Sequence, residues 1–158
     1  MDDRTLFLKF WDKEGATTRR VLSRIPEGSS YQPDPKSRTA REIAWLIVRE
    51  EMVLVDGLES GTLEWADVPA PPTMKEIVSA YDEYRETAPK RLAGVDANRW
   101  ESPVPFLYQG QAVNSATGSA NAWGFLLDIV HHRGQLTTYL RAMGSTVPQI
   151  YGPSADEP

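Results

Sequence analysis

Four long segments of this chain carry apolar side chains at every third or fourth position, which is the period of an α-helix. Each segment is about 20 residues long, enough for a helix with one continuous apolar stripe. Such stripes become buried when helices pack on one another, so the pattern predicts an all-α protein, an antiparallel four-helix bundle. The segments cover residues 5–25, 39–58, 73–92 and 119–143.

Residues that start or stop helices mark the ends of these segments. Pro26 follows the first segment and cannot continue its helix. The second and third segments begin with Thr-x-x-Glu sequences, Thr39–Glu42 and Thr73–Glu76, which are typical of N-terminal capping boxes. Gly144 is expected to end the last helix. Pro89 lies late in the third segment, so we expect a kink or a break there.

Residues 94–118, just before the last helix, show no helical period. We expect a long loop with at most a short extended stretch, held down by the aromatic side chains of Trp100, Phe106 and Tyr108. A loop of this length in a compact domain is often a lid or a wall of a binding site. We therefore expect it to cover a pocket.

The length and charge of the chain limit the classes of protein to which it can belong. Its 158 residues suffice for a single domain with one core, which we assign to residues 1–153, with a frayed tail at 154–158. A net charge of −5 disfavours nucleic acid as a partner, because binding to phosphates usually requires a basic surface. The charged N-terminus and the lack of a long apolar run argue against a signal peptide and a membrane span, so we expect a cytoplasmic protein.

The chain contains no cysteine and two histidines, His131 and His132, which are adjacent. This inventory excludes cysteine-ligated zinc sites, iron–sulfur clusters, thiol nucleophiles and disulfides. Any metal or acid–base chemistry must therefore use carboxylates together with this histidine pair.

Several polar residues lie on the apolar stripes, where core residues are expected, and three of them could form one site. Asp128 and His132 are four residues apart, so they share one face of the last helix at roughly 6 Å from each other. Glu50 lies between Leu46 and Leu54 on the stripe of the second helix. Inward Glu, Asp and His side chains build metal sites in helical bundles. Together they predict a site for Zn²⁺, Mn²⁺, Fe²⁺ or Ni²⁺ with open positions for water or substrate.

A simpler interpretation of the same residues is structural. Asp128 would then hydrogen-bond His131 or His132 as a satisfied pair. Glu50 would reach solvent at the rim of the bundle, as would Glu14 of the first helix. His131 points about 100° away from His132 and is expected at a helix boundary or a dimer surface. The residues alone leave both interpretations open.

The segment HHRGQLTTYLRAMGSTVPQIYGPS, residues 131–154, resembles the DinB/YfiT-like family of bacterial four-helix-bundle proteins. The run His132–Gln135 and the Val-Pro-x-x-Tyr-Gly tail carry the resemblance, and SRTAREIAW at residues 37–45 resembles the family's second-helix motif. The resemblance covers essentially the whole chain. It implies the bundle fold and no DNA polymerase activity. Together with the frequency of twofold assemblies, it also implies a homodimer.

Members of this family typically hold a divalent metal with three histidines, one from the second helix and two, four residues apart, from the last. In this sequence the resemblance carries over only His132. Asp128 occupies the position one turn before it, Leu46 occupies the second-helix position, and Glu50 follows Leu46 one turn later. The implied metal site is therefore a degraded one that consists of Asp128, His132 and Glu50.

Characterised relatives in this family include S-transferases and isomerases that use low-molecular-weight thiols. The resemblance implies a divalent-metal-dependent transferase or isomerase acting on small thiol adducts. Two carboxylates and one histidine would leave its metal site formally neutral, which weakens the stabilisation of a bound thiolate. The alternative is a metal-free bundle that binds a small apolar ligand or acts as a homodimeric interaction protein. The pocket of that alternative would be lined by Trp11, Trp45, Trp100 and Trp123.

Other polar residues near these positions have mainly structural interpretations. Arg133 is expected to pair with an acidic residue of a neighbouring helix, and Gly134 to let another helix approach closely. Thr17 and Thr18 interrupt the apolar pattern of the first helix beside Glu14 and are expected to face a polar pocket inside the bundle.

Overall fold

Five α-helices and three short β-strands make up the chain in the computed structural model, which describes all residues from Met1 to Pro158. The elements are, in order, α1 (Asp3–Leu22), α2 (Ala40–Ser60), β1 (Leu63–Trp65), α3 (Met74–Gly94), α4 (Ala97–Glu101), β2 (Pro103–Tyr108), β3 (Gln111–Thr117) and α5 (Gly118–Leu140), followed by a 3-10 turn (Arg141–Met143). The four predicted helices are α1, α2, α3 and α5, so the helical-bundle fold is confirmed, with a small sheet in addition.

Both capping boxes predicted from the sequence are formed. The Thr39 side chain accepts a hydrogen bond from the Glu42 amide, and the Glu42 carboxylate accepts one from the Thr39 amide. Thr73 and Glu76 make the same reciprocal pair of bonds at the start of α3. The helix α3 continues through Pro89 as one element, so no break occurs there.

The four long helices pack so that α1 and α2 each contact both α3 and α5. One half of the core joins the C-terminal parts of α1 and α5 to the N-terminal parts of α2 and α3, and it includes Val21 and Ile47. The other half joins the opposite ends of the same helices and includes Phe7 and Leu58. It follows that α1 and α5 run in one direction while α2 and α3 run in the other. None of the helices has both the length and the apolar character that crossing a membrane requires.

The segment predicted as a long loop, residues 94–118, is folded into the short helix α4 and the hairpin of β2 and β3. The strand β2 pairs antiparallel with β3 and parallel with β1, which gives the sheet order β1–β2–β3. The hairpin turns at Gln109 and Gly110, which both have the positive φ of tight two-residue turns. The loop prediction is wrong because β3 is exposed along most of its length and β2 contains two prolines, so neither strand shows a clear alternation.

The sheet packs against the bundle through a small cluster of its own. Leu63 of β1 and Val104 of β2 are fully buried and cluster with Val53 of α2. Gly57 of α2 permits this packing, because a Cβ added there would lie 2.4 Å from Leu63 Cδ2 and 2.8 Å from Leu63 Cα. Any side chain at position 57 would therefore push β1 away from α2. This close approach holds the sheet beside the helix that carries Glu50.

A buried ion pair ties α5 to α1. Arg133 is 2 % exposed, and its Nη1 lies 2.7 Å from a carboxylate oxygen of Glu14. Arg133 also donates to the hydroxyls of Thr18 and Tyr151, and the Tyr151 hydroxyl in turn donates to Glu14. The predicted pairing of Arg133 is thus confirmed, and Glu14 is buried instead of lying at the rim. Gly134 has only open space around it, so the expectation that a helix approaches there is wrong.

The tail at residues 154–158 makes polar contacts with the segment that follows α5. The Asp156 carboxylate accepts a hydrogen bond from the Val147 amide. The Glu157 carboxylate accepts one from the Gln149 amide. These bonds fold the tail back onto the chain.

Gly57→Ala should lower the free energy of unfolding by about 1–3 kcal/mol, because the new methyl group overpacks the contact with Leu63. Gly134→Ala is the matched control, since it makes the same change within a helix where no heavy atom lies within 4 Å of the new Cβ. The control should be neutral or should stabilise by up to about 1 kcal/mol, because alanine favours the helix. Urea unfolding followed by circular dichroism measures both variants, and equal effects would contradict the close packing of β1 on α2.

Candidate functional site

The packing of α2 against α5 brings together the three residues predicted as metal ligands, Glu50, Asp128 and His132. One donor atom from each side chain lies within 4.8 Å of the others. The Nδ1 atom of His132 is 3.0 Å from a Glu50 carboxylate oxygen and 3.9 Å from an Asp128 carboxylate oxygen. The four-residue spacing places the two α5 residues on one face, and α2 supplies Glu50 across the helix interface.

Two of the three side chains are largely buried. The Glu50 side chain is 4 % exposed and that of His132 is 12 % exposed, whereas that of Asp128 is 58 % exposed. The expectation that Glu50 reaches solvent at the rim is therefore wrong, because α5 and the sheet pack over this part of α2. Asp128 lies on the open side of the cluster, through which a ligand could reach the two buried groups.

The buried pair contains polar atoms without hydrogen-bond partners. These are Nδ1 of His132 and the second carboxylate oxygen of Glu50. The 3.0 Å contact between the two residues is too poorly aligned to count as a hydrogen bond. An unpartnered buried polar atom costs on the order of 1–3 kcal/mol, and an ion or a ligand at the cluster would supply the missing partners. Two carboxylates and one imidazole are a donor set that suits a divalent transition metal, so the residues present fit such an ion.

Burial and mutual charge shift the protonation of this cluster. Burial raises the pKa of Glu50 to about 7, while the contact with His132 opposes the rise and the charge of Asp128 adds to it. Burial lowers the pKa of His132, but the contact with Glu50 and the charge of Asp128 raise it by more, so this pKa lies above its usual value. The pair therefore holds a proton near neutral pH, and a divalent ion would have to displace that proton.

A cavity of about 600 Å³ lies beside the cluster and is lined by residues of α2, α5 and the sheet. This volume is in the range of small-molecule binding sites. Trp65, Phe106 and Phe125 form an apolar wall, in which the two phenylalanine rings are in edge-to-face contact. Leu46 is part of the lining one turn before Glu50, so the position at which a histidine was expected does face the site but offers no donor atom.

The segment predicted to cover a pocket does form one wall of this cavity. Phe106 of β2 and Asn114 of β3 supply the lining from the hairpin. Asn121 of α5 fixes the hairpin in place, because its amide donates to the carbonyl oxygens of Val104 and Ala116 at 3.0 and 3.2 Å. The wall is thus a hydrogen-bonded part of the fold and not a loose loop.

The tryptophans predicted to line a pocket lie elsewhere. Trp11 and Trp100 are buried in the core, Trp123 packs edge-on against aromatic side chains of α1, and Trp45 lies outside the cavity. The cavity is lined by Trp65 instead, a residue that the sequence analysis missed. A strand of three residues is too short for its pattern to be recognised, so the sequence carried no signal for this residue.

His131 takes no part in the cluster. It lies on the exposed face of α5, where its ring is 3.1 Å from the side-chain amide of Gln135. The expectation of a helix boundary is wrong, because the residue is well inside α5. Its location at a dimer surface stays a prediction.

Three known proteins are similar to this chain over most of its length. The uncharacterized protein YrdA of Bacillus subtilis (strain 168) is 27 % identical over 157 residues, which is 96 % of this chain and 89 % of YrdA. The crystal structure of a DinB-like protein, YjoA, from Bacillus subtilis has a TM-score of 0.73 at 17 % identity, with coverage of 94 % of this chain and 99 % of YjoA. The crystal structure of a DinB-like protein from Bacillus cereus ATCC 10987 has a TM-score of 0.74 at 24 % identity, with coverage of 92 % and 95 %. Both structural similarities show a shared fold.

A family match extends over the complete sequence. The model described as the DinB family matches residues 1–158. This match includes the His132–Gln135 run and the second-helix motif that suggested the resemblance, as well as the hairpin that lines the cavity. The chain therefore belongs to the DinB family.

Proposed function

We propose that this DinB-family protein binds a divalent transition-metal ion through Glu50, Asp128 and His132 and acts as a transferase or isomerase on small thiol adducts. The observation that carries the proposal is the cluster of three donor atoms within 4.8 Å of one another. Two of these side chains are buried and hold unpartnered polar atoms, and the cluster borders a cavity of about 600 Å³. The candidate metal ligands and a cavity large enough for a small molecule are thus adjacent.

Each residue of the cluster would hold the ion in a different way. His132 supplies the one nitrogen donor, with Nδ1 facing Glu50. Glu50 supplies a buried negative charge, and its attraction for a cation is strong because the surroundings have a low dielectric constant. Asp128 is exposed, so its side chain has the freedom to adjust to an ion or to exchange a ligand.

A bound divalent ion would act as a Lewis acid and lower the pKa of a coordinated thiol. Two carboxylates balance the charge of such an ion, so this site favours a thiolate less than a site with three neutral histidines would. Trp65 and Phe106 would exclude water from the reacting groups. The geometry of the cluster supports the metal, whereas the thiol rests on the family resemblance.

Protein purified without a nickel column should contain close to one equivalent of a transition metal, and Zn²⁺, Ni²⁺ or Mn²⁺ should raise the melting temperature of the metal-free protein. At a free metal concentration 100 times the Kd, the stabilisation would be about 2.7 kcal/mol. His132→Ala should abolish the rise because it removes the nitrogen donor. His131→Ala is the matched control, since it removes the adjacent but exposed imidazole and should leave the rise unchanged.

Less than about a tenth of an equivalent of metal, together with no thermal shift, would contradict the metal site. The cavity would then belong to a metal-free protein that binds a small ligand, which is the alternative function. If metal binds, the loaded wild type and His131→Ala should accelerate the addition of a low-molecular-weight thiol to a small electrophile, measured as loss of free thiol. His132→Ala should not do so, and metal binding without any acceleration would contradict the thiol chemistry alone.

Leu46→His should tighten Zn²⁺ binding by roughly tenfold or more, because it places an imidazole in the cavity lining one turn before Glu50. Leu46→Phe is the matched control, since it introduces a ring that has no donor atom. Calorimetric titration of the metal-free proteins with Zn²⁺ compares the two variants. Equal affinities would mean that a side chain at position 46 does not reach the ion.

A further inference from the structure

We propose that Arg38 is the anion-recognition residue of the cavity, and that the metal-loaded cavity takes a small organic carboxylate with an apolar body. This inference rests on the proposed metal site and extends it to the class of substrate. It follows from the lack of a carboxylate partner for Arg38, from the balance of charges around the cavity and from the apolar character of the wall.

Arg38 is the one basic residue that lines the cavity. It lies in the linker before α2, next to the N-cap residue Thr39. Arg38 is exposed, and its guanidinium forms neither a salt bridge nor a hydrogen bond within the chain. Six of the other eleven arginines pair with carboxylates. Those six are Arg19, Arg24, Arg85, Arg91, Arg133 and Arg141.

The carboxylate nearest to Arg38 in the sequence already has other partners. One oxygen of Glu42 accepts hydrogen bonds from both the amide and the hydroxyl of Thr39, each at 2.8 Å, because the two residues form the capping box of α2. Arg38 influences Glu42 only through its charge. A guanidinium without a carboxylate partner at the edge of a cavity is suited to hold the carboxylate of a ligand through two parallel hydrogen bonds.

The charge of the cavity depends on the metal. The titratable side chains of the lining are Arg38, Glu50, Asp128 and His132. In the loaded site a divalent ion and Arg38 would carry three positive charges against the two negative charges of Glu50 and Asp128. The resulting net charge of +1 attracts an anion, and loss of the ion removes this excess. Anion binding is therefore expected to be tighter in the loaded protein.

Apart from Asn114 and Asn121 the remaining lining is apolar, and it favours an apolar body between Arg38 and the metal cluster. Trp65, Phe106 and Phe125 offer aromatic surface, and the amide of Asn121 is occupied by its bonds to the hairpin. Arg38 and His132 line the same cavity. A carboxylate held at Arg38 would thus leave the other end of a small ligand over the metal cluster.

Calorimetric titration of the Zn²⁺-loaded, full-length protein with benzoate and with its uncharged analogue benzamide tests this inference. Benzoate should bind at least about fivefold more tightly than benzamide, and removal of the metal should reduce this preference. Arg38→Ala should weaken benzoate binding about tenfold, which is the loss expected for charged hydrogen bonds, while benzamide and Zn²⁺ affinities stay unchanged. The benzoate affinity of Arg38→Lys should lie between those of the wild type and Arg38→Ala, because lysine keeps the charge but loses the paired donors.

Lys36→Ala is the control for the loss of a positive charge, since this exposed residue is two positions away and does not line the cavity. Its benzoate affinity should equal that of the wild type. Equal benzoate affinities of wild type and Arg38→Ala, or no preference of the loaded wild type for benzoate, would overturn the inference and leave the metal site in place. Failure of the wild type to bind Zn²⁺ would overturn both the proposed metal site and this inference, because the cavity would then lack the net positive charge of the loaded site.

Discussion

The burial of Glu50 and His132 between α2 and α5 is the constraint on which the site depends. The carboxylate of Glu50, which is buried in this helix interface, loses its hydration, and its pKa rises to about 7 as a result. The contact with His132 offsets only part of this cost, because it leaves buried polar atoms on both residues without hydrogen bonds. Replacement of a buried polar pair by a well-packed apolar pair is often neutral or stabilising, which is consistent with the proposed binding role of this pair.

The small sheet turns this interface into a pocket that is open on one side. The absence of a side chain at Gly57 allows Leu63 to pack directly on α2, and Asn121 bonds the hairpin to α5. These two attachments carry Trp65 and Phe106 to the open side of the cluster. The helices alone would leave the cluster in a groove, whereas the sheet supplies an apolar wall and a defined volume.

The chemical character of the site follows from the side chains that border it. Leu46 lies in the lining but has no donor atom, so in the proposed metal site the negative charges of Glu50 and Asp128 would take the place of neutral ligands. This exchange reduces the excess positive charge that a metal would bring to the cavity. Arg38 adds a positive charge in the same lining. The proposed selectivity of the cavity for anions would thus depend on a linker residue as well as on the helices.

Local features of the sequence predicted the bundle and the three polar residues of the candidate site, but not the aromatic wall that the sheet supplies. Helical period, the capping boxes at Thr39 and Thr73, and the four-residue spacing of Asp128 and His132 depend on residues within a few positions of one another. Arg133 was also predicted correctly as an ion-pairing residue, although its partner Glu14 was expected at the rim. The sequence by itself therefore determined the helices and the polar residues on their inward faces.

Only the tertiary structure decided how these parts meet. The burial of Glu50, the directions of the four helices, the hairpin at residues 103–117 and the place of Trp65 in the cavity all depend on contacts between distant segments. Strand pairing leaves a weak signal in a single sequence when one strand is exposed and the other contains prolines. Whether a polar residue on a stripe faces solvent or a partner is fixed by what packs over it, and that is a property of the whole fold.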